Sequence, residues 1–158
     1  MSNLGTTVTL SQNEEAANEC LEAINSRFSG SGVVASVERH SNAKKYAFIR
    51  ITTPPQHWQA LAKWMRFDLG VNYCSMVTGT HFPEGPPERG WEVAYHFLRQ
   101  PISNQLPDTH TVYVAEKLDG QLVPMEFEVL IPLENNDSPI VPTVQPVSYT
   151  HLTLPTKA

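Results

Sequence analysis

The sequence has 158 residues, of which 41% are hydrophobic and 17% are charged, and its formal net charge is −5. This length and composition predict one folded domain with a full core and exclude a disordered chain. Lys44-Lys45 is the only basic doublet, so the basic surface of a nucleic-acid-binding protein is not expected. No apolar run approaches the roughly 18 residues of a membrane-spanning helix, so no direct membrane span is predicted. Residues 1–5 lack the features of a secretory signal.

The first helix is predicted over residues 11–28, after a polar segment, 1–10, that is expected to be flexible. Ser11 and Glu14 have the spacing of a capping box, in which each side chain satisfies a backbone amide at the helix start. Gly30 stands where a helix often ends in the left-handed conformation. The apolar residues recur at helical spacing, which predicts a buried face made of Ala17, Cys20, Leu21, Ile24 and Phe28.

The second helix is predicted to begin at Thr53, with Thr53 as the cap, Pro54 in the first helical position and Gln56 completing a capping box. It is predicted to end at Gly70. Trp64 falls outside the apolar stripe of this helix, so we expect an exposed aromatic side chain that meets a partner. The stripe itself is predicted to consist of Trp58, Leu61, Ala62, Met65 and Leu69.

Runs rich in β-branched and aromatic residues predict the strands, and stretches rich in Pro and Gly predict the loops. The strands are expected over residues 33–39, 45–52, 73–79, 91–99, 111–117 and 125–131. The first two are predicted to form one hairpin, and the last two, which flank Asp119-Gly120, another. The order α-β-β-α-β-β-β-β predicts an α+β two-layer sandwich with two helices on a mixed sheet. This domain is expected to span 11–133, followed by an extended Pro-rich segment, 134–147.

In the second strand, Ala47, Ile49 and Ile51 alternate with Tyr46, Phe48 and Arg50. Because successive side chains of a strand point to opposite faces, one of these sets is expected to pack on the helices and the other to be partly exposed. The alternation therefore places this strand in a sheet that is covered on one side.

The cysteines and histidines suggest only weak candidate sites. Cys20 and Cys74 lack CxxC spacing and fit a reducing compartment, although one disulfide between them stays open. A zinc site built from Cys74, His81 and His96 would lack compact ligand spacing and a fourth ligand. No local feature would activate Cys74 as a nucleophile. The sequence therefore favours two buried cysteines and a structural His96 in a strand.

Glu126 and Glu128 are two residues apart in a predicted strand and so point to the same face. Paired carboxylates serve acid–base catalysis when a cleft shifts their pKa values. One hypothesis is therefore a small enzyme that gathers Glu126, Glu128 or His96 in a deep pocket. The favoured interpretation is a solvated or partner-facing strand surface. The sequence has no GxGxxG or GxxxxGK[ST] motif, and Trp58 and Trp91 are expected to be core or interface aromatics.

Three stretches, taken together, resemble a known family. They are Trp64–Gly79, Trp91–Leu98 (Trp-Glu-Val-Ala-Tyr-His-Phe-Leu), and Glu126–Leu133 followed by Ser138–Val144 (Ser-Pro-Ile-Val-Pro-Thr-Val). Their order is similar to the thirty-kilodalton subunit of complex I, NADH:quinone oxidoreductase. The strand with Glu-Val-x-Tyr-His-x-Leu is the most specific element. The N-terminal domain of energy-converting [NiFe] hydrogenase large subunits is similar too, and Ser75–Gly79 would suit either branch.

This resemblance implies a cofactor-free structural subunit of the peripheral arm, without a catalytic site of its own. Electrons would pass from NADH to quinone through partner subunits that hold FMN and iron–sulfur clusters. The implied partners are the quinone-site subunit and the subunit with the terminal iron–sulfur cluster, at the cytoplasmic face of the bacterial inner membrane. An apolar patch is expected to be exposed for them. The candidate interface residues are Trp64, Trp91, Glu92, Tyr95, His96, Pro142 and Val144.

The C-terminal residues depart from the family. Where the family continues with Trp-Pro-x-Ala-Asn-Trp and Glu-Arg-Glu motifs, this chain has Ser148–Ala158 (Ser-Tyr-Thr-His-Leu-Thr-Leu-Pro-Thr-Lys-Ala). These residues resemble translated sequencing-adapter read-through, so 148–158 are expected to be non-native, with a genuine divergent tail as the alternative. A hydrogenase large subunit would instead continue into a domain with paired CxxC nickel ligands.

Overall fold

The computed structural model of this chain describes residues 9–43, 45–99 and 123–134. In chain order its elements are α1 (Leu10–Phe28), β1 (Val34–Arg39), β2 (Ala47–Thr52), α2 (Pro55–Phe67), β3 (Tyr73–His81), a 3-10 turn (Pro87–Arg89), β4 (Trp91–Arg99) and β5 (Met125–Leu133). The predicted α+β class, with two helices and a mixed sheet, is confirmed. The predicted strand 111–117 lies outside the described residues. No described helix is both long and apolar enough to cross a membrane.

The five strands form one sheet in the order β1-β2-β5-β4-β3. β1 and β2 form the predicted antiparallel hairpin, and β3 and β4 form a second. β5 lies between the two hairpins, parallel to β2 and antiparallel to β4. Because β5 is paired along both edges, the prediction that its partner lies across Asp119-Gly120 is wrong.

The helix-facing side of the sheet is apolar because every second residue of the central strands is large and hydrophobic. In β2, Ile49 and Ile51 are fully buried, as the alternation predicts. Phe127 and Val129 of β5 lie opposite them in register and are buried as well. The period of two thus assigns one face of each strand to the core.

α1 begins earlier than predicted, at Leu10, and its cap is Thr9. The Gln12 amide donates to Thr9 Oγ1 (3.1 Å) and the Thr9 amide donates to Gln12 Oε1 (3.0 Å), which is a complete capping box. The predicted box from Ser11 and Glu14 is therefore wrong. Thr9 and Gln12 have the same capping-box spacing as Ser11 and Glu14. Because the helix uses Thr9 as its cap, it begins about half a turn earlier than predicted. Gly30 adopts the left-handed conformation (φ 76°), as predicted.

α2 starts at Pro55 with Pro54 as its cap residue, and no side chain caps it. The prediction that Thr53 is the cap is wrong: Thr53 is fully buried and its amide donates to the Leu130 carbonyl (3.0 Å), so it continues the β2–β5 pairing. Gly70, with φ 83°, ends the helix region as predicted. All five residues of the predicted stripe are buried, namely Trp58, Leu61, Ala62, Met65 and Leu69.

An aromatic cluster joins α2 to the sheet. The fully buried Trp58 ring lies 4.7 Å from the Tyr95 ring and 5.9 Å from the Phe97 ring, between centroids. Tyr95 and Phe97 stack on each other along β4 at 5.7 Å. Each such ring buries a large apolar area, so this cluster fixes α2 over β4 and β5.

Two buried polar side chains connect elements that are distant in sequence. Arg99, at the end of β4, donates to the Leu69 carbonyl after α2 (3.1 Å) and to the Val123 carbonyl before β5 (2.9 Å). Asn13 of α1 donates to the Ala47 carbonyl (3.2 Å) and accepts from the Ala47 amide (2.8 Å) at the start of β2. Both side chains satisfy backbone groups that burial would otherwise leave without partners.

Asn13→Ala is expected to lower the free energy of unfolding by about 2–3 kcal/mol, since both backbone groups of Ala47 lose their partner in the core. Asn18 is exposed on the same helix and provides the matched control. Asn18→Ala should change stability by only a few tenths of a kcal/mol, through helix propensity. Urea denaturation followed by circular dichroism measures both. Equal stabilities for the two variants would contradict a structural role for the Asn13 amide.

Candidate docking surface

The face of the sheet that the helices leave uncovered carries a charged row across three strands. Arg50 of β2, Glu128 of β5 and His96 of β4 lie directly opposite one another in register. Arg50 Nε donates to Glu128 Oε1 at 2.6 Å, and His96 Nε2 lies 3.1 Å from Glu128 Oε2. One oxygen of the Glu128 carboxylate thus contacts β2, and the other contacts β4.

Electrostatics in this row favour the ionised forms of Glu128 and Arg50. Partial burial alone would raise the pKa of Glu128, but the hydrogen bond and positive charge of Arg50, together with His96, outweigh it and lower that pKa below its usual value. The hydrogen bond to Glu128 likewise raises the pKa of Arg50. The ion pair between Arg50 and Glu128 in this row therefore connects β2 to β5.

A second set of contacts continues this row toward the β1–β2 hairpin. His40 Nε2 lies 2.6 Å from Glu126 Oε2, and Arg50 reaches Glu38 of β1 at 3.8 Å. The Phe48 ring lies between these groups, with His40 4.7 Å away, ring to ring, and the Arg50 guanidinium 5.5 Å from its centroid. The face thus carries paired charges around one aromatic ring.

The small-enzyme hypothesis required Glu126, Glu128 or His96 to converge in a deep pocket. They lie on an open strand face, where Glu126 is more than half exposed and its carboxylate is paired with His40. Two concavities of the described part lie elsewhere, in the loop after β3 and beside Trp64 at the end of α2. Neither of these two concavities includes Glu126, Glu128 or His96, and Glu126 lies on a solvated strand face, as the favoured interpretation predicts.

Cys20 and Cys74 are both free and buried, as the sequence favours. Burial raises the pKa of Cys20, and it raises the pKa of Cys74 to about 11 against a smaller opposing effect of the Met76 backbone. Cys74 faces the helices opposite Phe97, whereas His96 lies on the opposite face of the sheet. The candidate zinc ligands are thus not brought together, and among the described residues no three His, Cys, Asp or Glu side chains are grouped to hold a metal ion.

The sheet extends beyond its helical layer on the β3 side. From Ser75 to His81, every residue of β3 is exposed, on both faces of the strand. Val77 lies on the helix side, opposite Tyr95 of β4, yet no described helix covers it. We name four exposed side chains around this edge the apolar patch: Met76 (50% exposed), Val77 (41%), Phe82 (38%) and Trp91 (37%). Val77 and Trp91 lie on the helix-facing side of the sheet, and Met76 lies on the opposite side.

The apolar patch has ordered surroundings. Trp91 stacks on His81, its register partner, at 4.1 Å between ring centroids. A shallow concavity of about 370 Å³ follows β3 in the loop that contains Phe82. Arg89 forms an ion pair with Glu92 at the start of β4. A defined aromatic surface with a polar rim is the usual composition of a protein–protein contact.

The candidate interface residues from the sequence have different positions. Trp91 belongs to the apolar patch, and Glu92 and His96 lie on the open face. Tyr95 is 3% exposed and belongs to the core, and Trp64 is half-buried, edge-on to Phe28 at 5.5 Å between centroids. Pro142 and Val144 lie outside the described residues. Met76, Val77 and Phe82 were not predicted as interface residues from the sequence. The apolar pair Met76-Val77 between small and hydroxyl residues is a signal that could have indicated an exposed contact surface.

Comparison with known proteins gives a likeness to solved structures alone. No family model and no curated protein matches this chain. A solved structure of Nqo5, its trypsin-resistant fragment (1–134), is similar with a TM-score of 0.49 and 15% sequence identity. The match covers 81% of this chain and 77% of that one. It is a distant likeness in fold.

Glu128→Gln is expected to lower the free energy of unfolding at pH 7 by about 1 kcal/mol, the upper range for a partly exposed ion pair. The folded-state pKa of Glu128 is lowered, so its contribution is present above the unfolded value of about 4.3 and is lost as pH falls through the folded value. The difference from the parent chain should therefore shrink below about pH 4. Urea titrations across pH measure it. Glu15→Gln, at an exposed position of α1, is the control, and a difference independent of pH would contradict the assignment.

Both thiols of the folded chain should resist labelling by Ellman's reagent at neutral pH. With a pKa of about 11, roughly one Cys74 side chain in ten thousand is a thiolate at pH 7. Burial blocks access to Cys20 and Cys74 alike. Two thiols per chain should react at once in concentrated urea. Rapid labelling of either cysteine before unfolding would show that the described burial is wrong.

Proposed function

We propose that this chain is a cofactor-free accessory subunit in the peripheral arm of a complex I-like NADH:quinone oxidoreductase, and that it docks on partner subunits through the apolar patch. The observation that carries the proposal is the exposure of Met76, Val77, Phe82 and Trp91 together, where the sheet extends past its helices. Large exposed apolar side chains at one place on a small domain are typical of interaction sites. The patch marks the β3 end of the sheet as the docking region, and the sequence resemblance suggests the complex.

The strand with the most specific resemblance, Trp91–Leu98, divides between packing and surface. Tyr95 and Phe97 alternate into the core, where they hold Trp58. Glu92 and His96 alternate onto the open face, and Trp91 reaches the apolar patch. One strand thus combines the residues that fix the fold with residues that a partner can contact, which supports a docking role for this motif.

The proposed partners are the quinone-site subunit and the subunit with the terminal iron–sulfur cluster, at the cytoplasmic face of a bacterial inner membrane. FMN and the iron–sulfur clusters would belong to partner subunits, which carry the electrons from NADH to quinone. In this proposal the chain contributes contact area. Aromatic anchors such as Trp91 and Phe82 are the residue types that dominate interface energetics.

The energy-converting hydrogenase is the second candidate, since the stretch Ser75–Gly79 suits both branches. It would use the same domain as the start of a longer chain. The two candidates differ in what binds: quinone-reductase subunits in one case, and the other subunits of a hydrogenase in the other. The identity of the recovered partners therefore separates them.

Affinity purification of the tagged chain from its source cells tests the proposal. The parent chain should recover iron–sulfur and quinone-site subunits, identified by mass spectrometry and by the visible absorption of the clusters. The double variant Phe82→Asp/Trp91→Asp should reduce that recovery at least tenfold, because loss of two aromatic anchors at about 2 kcal/mol each exceeds this change. Because Trp91 also stacks on His81, circular dichroism must first show that the double variant is folded.

The matched control is Val34→Asp, which changes a side chain 64% exposed at the opposite edge of the sheet. It should leave recovery unchanged. Recovery of the parent chain without any iron–sulfur protein would refute the assignment to such a complex. Equal loss for Val34→Asp and the double variant would refute the apolar patch as the docking site.

A further inference from the structure

We propose that the free edge of β3 pairs antiparallel with β3 of a second copy, so that two chains form a two-fold dimer with one continuous sheet. The inference depends on β3 alone and does not rest on the proposed function.

The backbone of β3 is available on one side. β3 pairs with β4 from Tyr73 to His81, and in the described part of the chain no strand pairs with its other edge. From Ser75 onward the residues are exposed on both faces, so no described helix shields the edge. Unpaired amides and carbonyls along such a strand accept another strand through main-chain hydrogen bonds.

Beyond the irregularity between Cys74 and Met76, the edge also lacks the features that usually prevent pairing. Exposed edges are commonly protected by Lys and other charged residues, or by Pro. Tyr73–His81 (Tyr-Cys-Ser-Met-Val-Thr-Gly-Thr-His) contains no Lys, Arg, Asp, Glu or Pro. The strand at the other edge of the sheet, β1, carries Glu38 and Arg39, and both form ion pairs. The two edges of one sheet thus differ, and β3 is the unprotected one.

The register that we propose is centred on Thr78. The irregularity in β3 lies between Cys74 and Met76, so the strand is regular beyond it. A two-fold axis perpendicular to the sheet preserves its faces, so each residue meets a residue of its own face. Thr78 then lies opposite Thr78 of the copy, and Met76 lies opposite Thr80, all on the face that carries His96.

On the helix-facing side the same register places Val77 opposite Gly79 of the copy. A Cβ at Gly79 would have no heavy atom within 4 Å, so there is open space over this glycine. The exposed Val77 side chain of each copy fills that space on the other. Covering an edge glycine with a larger cross-strand neighbour is a known way to stabilise sheets, and Thr–Thr pairs are favourable across strands. The strand is therefore complementary to itself in shape, and it carries no Lys, Arg, Asp or Glu side chain that would repel the copy.

Mass measurement of the full chain provides the first test. Sedimentation and light scattering across the micromolar range should give twice the 17.7 kDa of one chain. Val77→Lys should raise the dimer Kd at least roughly tenfold, because each copy brings a buried charge in place of a cross-strand contact. Val34→Lys, at an exposed position of the β1 edge, should leave the dimer intact. Circular dichroism establishes that both variants are folded.

Crosslinking provides the test of register. In the proposed pairing the two Thr78 Cα atoms lie roughly 4.5–5.5 Å apart, which is within the range of a disulfide. Thr78→Cys should therefore form a covalent dimer under mild oxidation, whereas Val34→Cys should not. A monomeric parent chain at all concentrations would overturn the proposal and leave the edge to a strand from another protein. A dimer that Val34→Lys disrupts and Val77→Lys does not would overturn it too.

Discussion

Strand β5 joins two hairpins that share no backbone pairing with each other in the described part of the chain. The sheet exists because β5 pairs in parallel with β2 on one edge and antiparallel with β4 on the other. Its inward side chains, Phe127 and Val129 among them, are almost completely buried. A central strand of this kind is held on both edges and on its helix-facing side, so it cannot shift its register without exposing its core residues. The positions of the other elements depend on that register.

The register of β5 also determines the chemistry of the open face. Because Arg50, Glu128 and His96 lie opposite one another across three strands, a single carboxylate can accept from both neighbours. Shifting β5 by one residue would move Glu128 into the core and Phe127 into solvent. The ion pair contributes modest stability, but it makes the wrong register costly. The charged row is thus better explained by strand alignment than by catalysis.

The sequence predicts what depends on local pattern and misses what depends on distant contacts. The stripe of α2, the alternation in β2 and the left-handed Gly30 and Gly70 follow from spacing of 2 or 3.6 residues and from glycine's backbone freedom. The insertion of β5 between two hairpins has no local signal, and the Asp-Gly turn suggested a different partner. Likewise, the sequence could identify two carboxylates on one face, but only the pairing with β2 and β4 shows that Arg50 and His96 contact the Glu128 carboxylate.

The exposed side of β3 results from a mismatch between the two layers. The described helices have 19 and 13 residues, and the sheet that they pack on has five strands. They leave most of β3 uncovered, since its last buried side chain is Cys74. A chain under selection as an isolated monomer would be expected to place charge along such an edge, as β1 does with Glu38 and Arg39. β3 instead presents Met76 and Val77 between hydroxyl residues. An uncharged edge that exposes Met76 on one face and Val77 on the other is a template for pairing with another chain. Main-chain pairing and side-chain docking would both cover it.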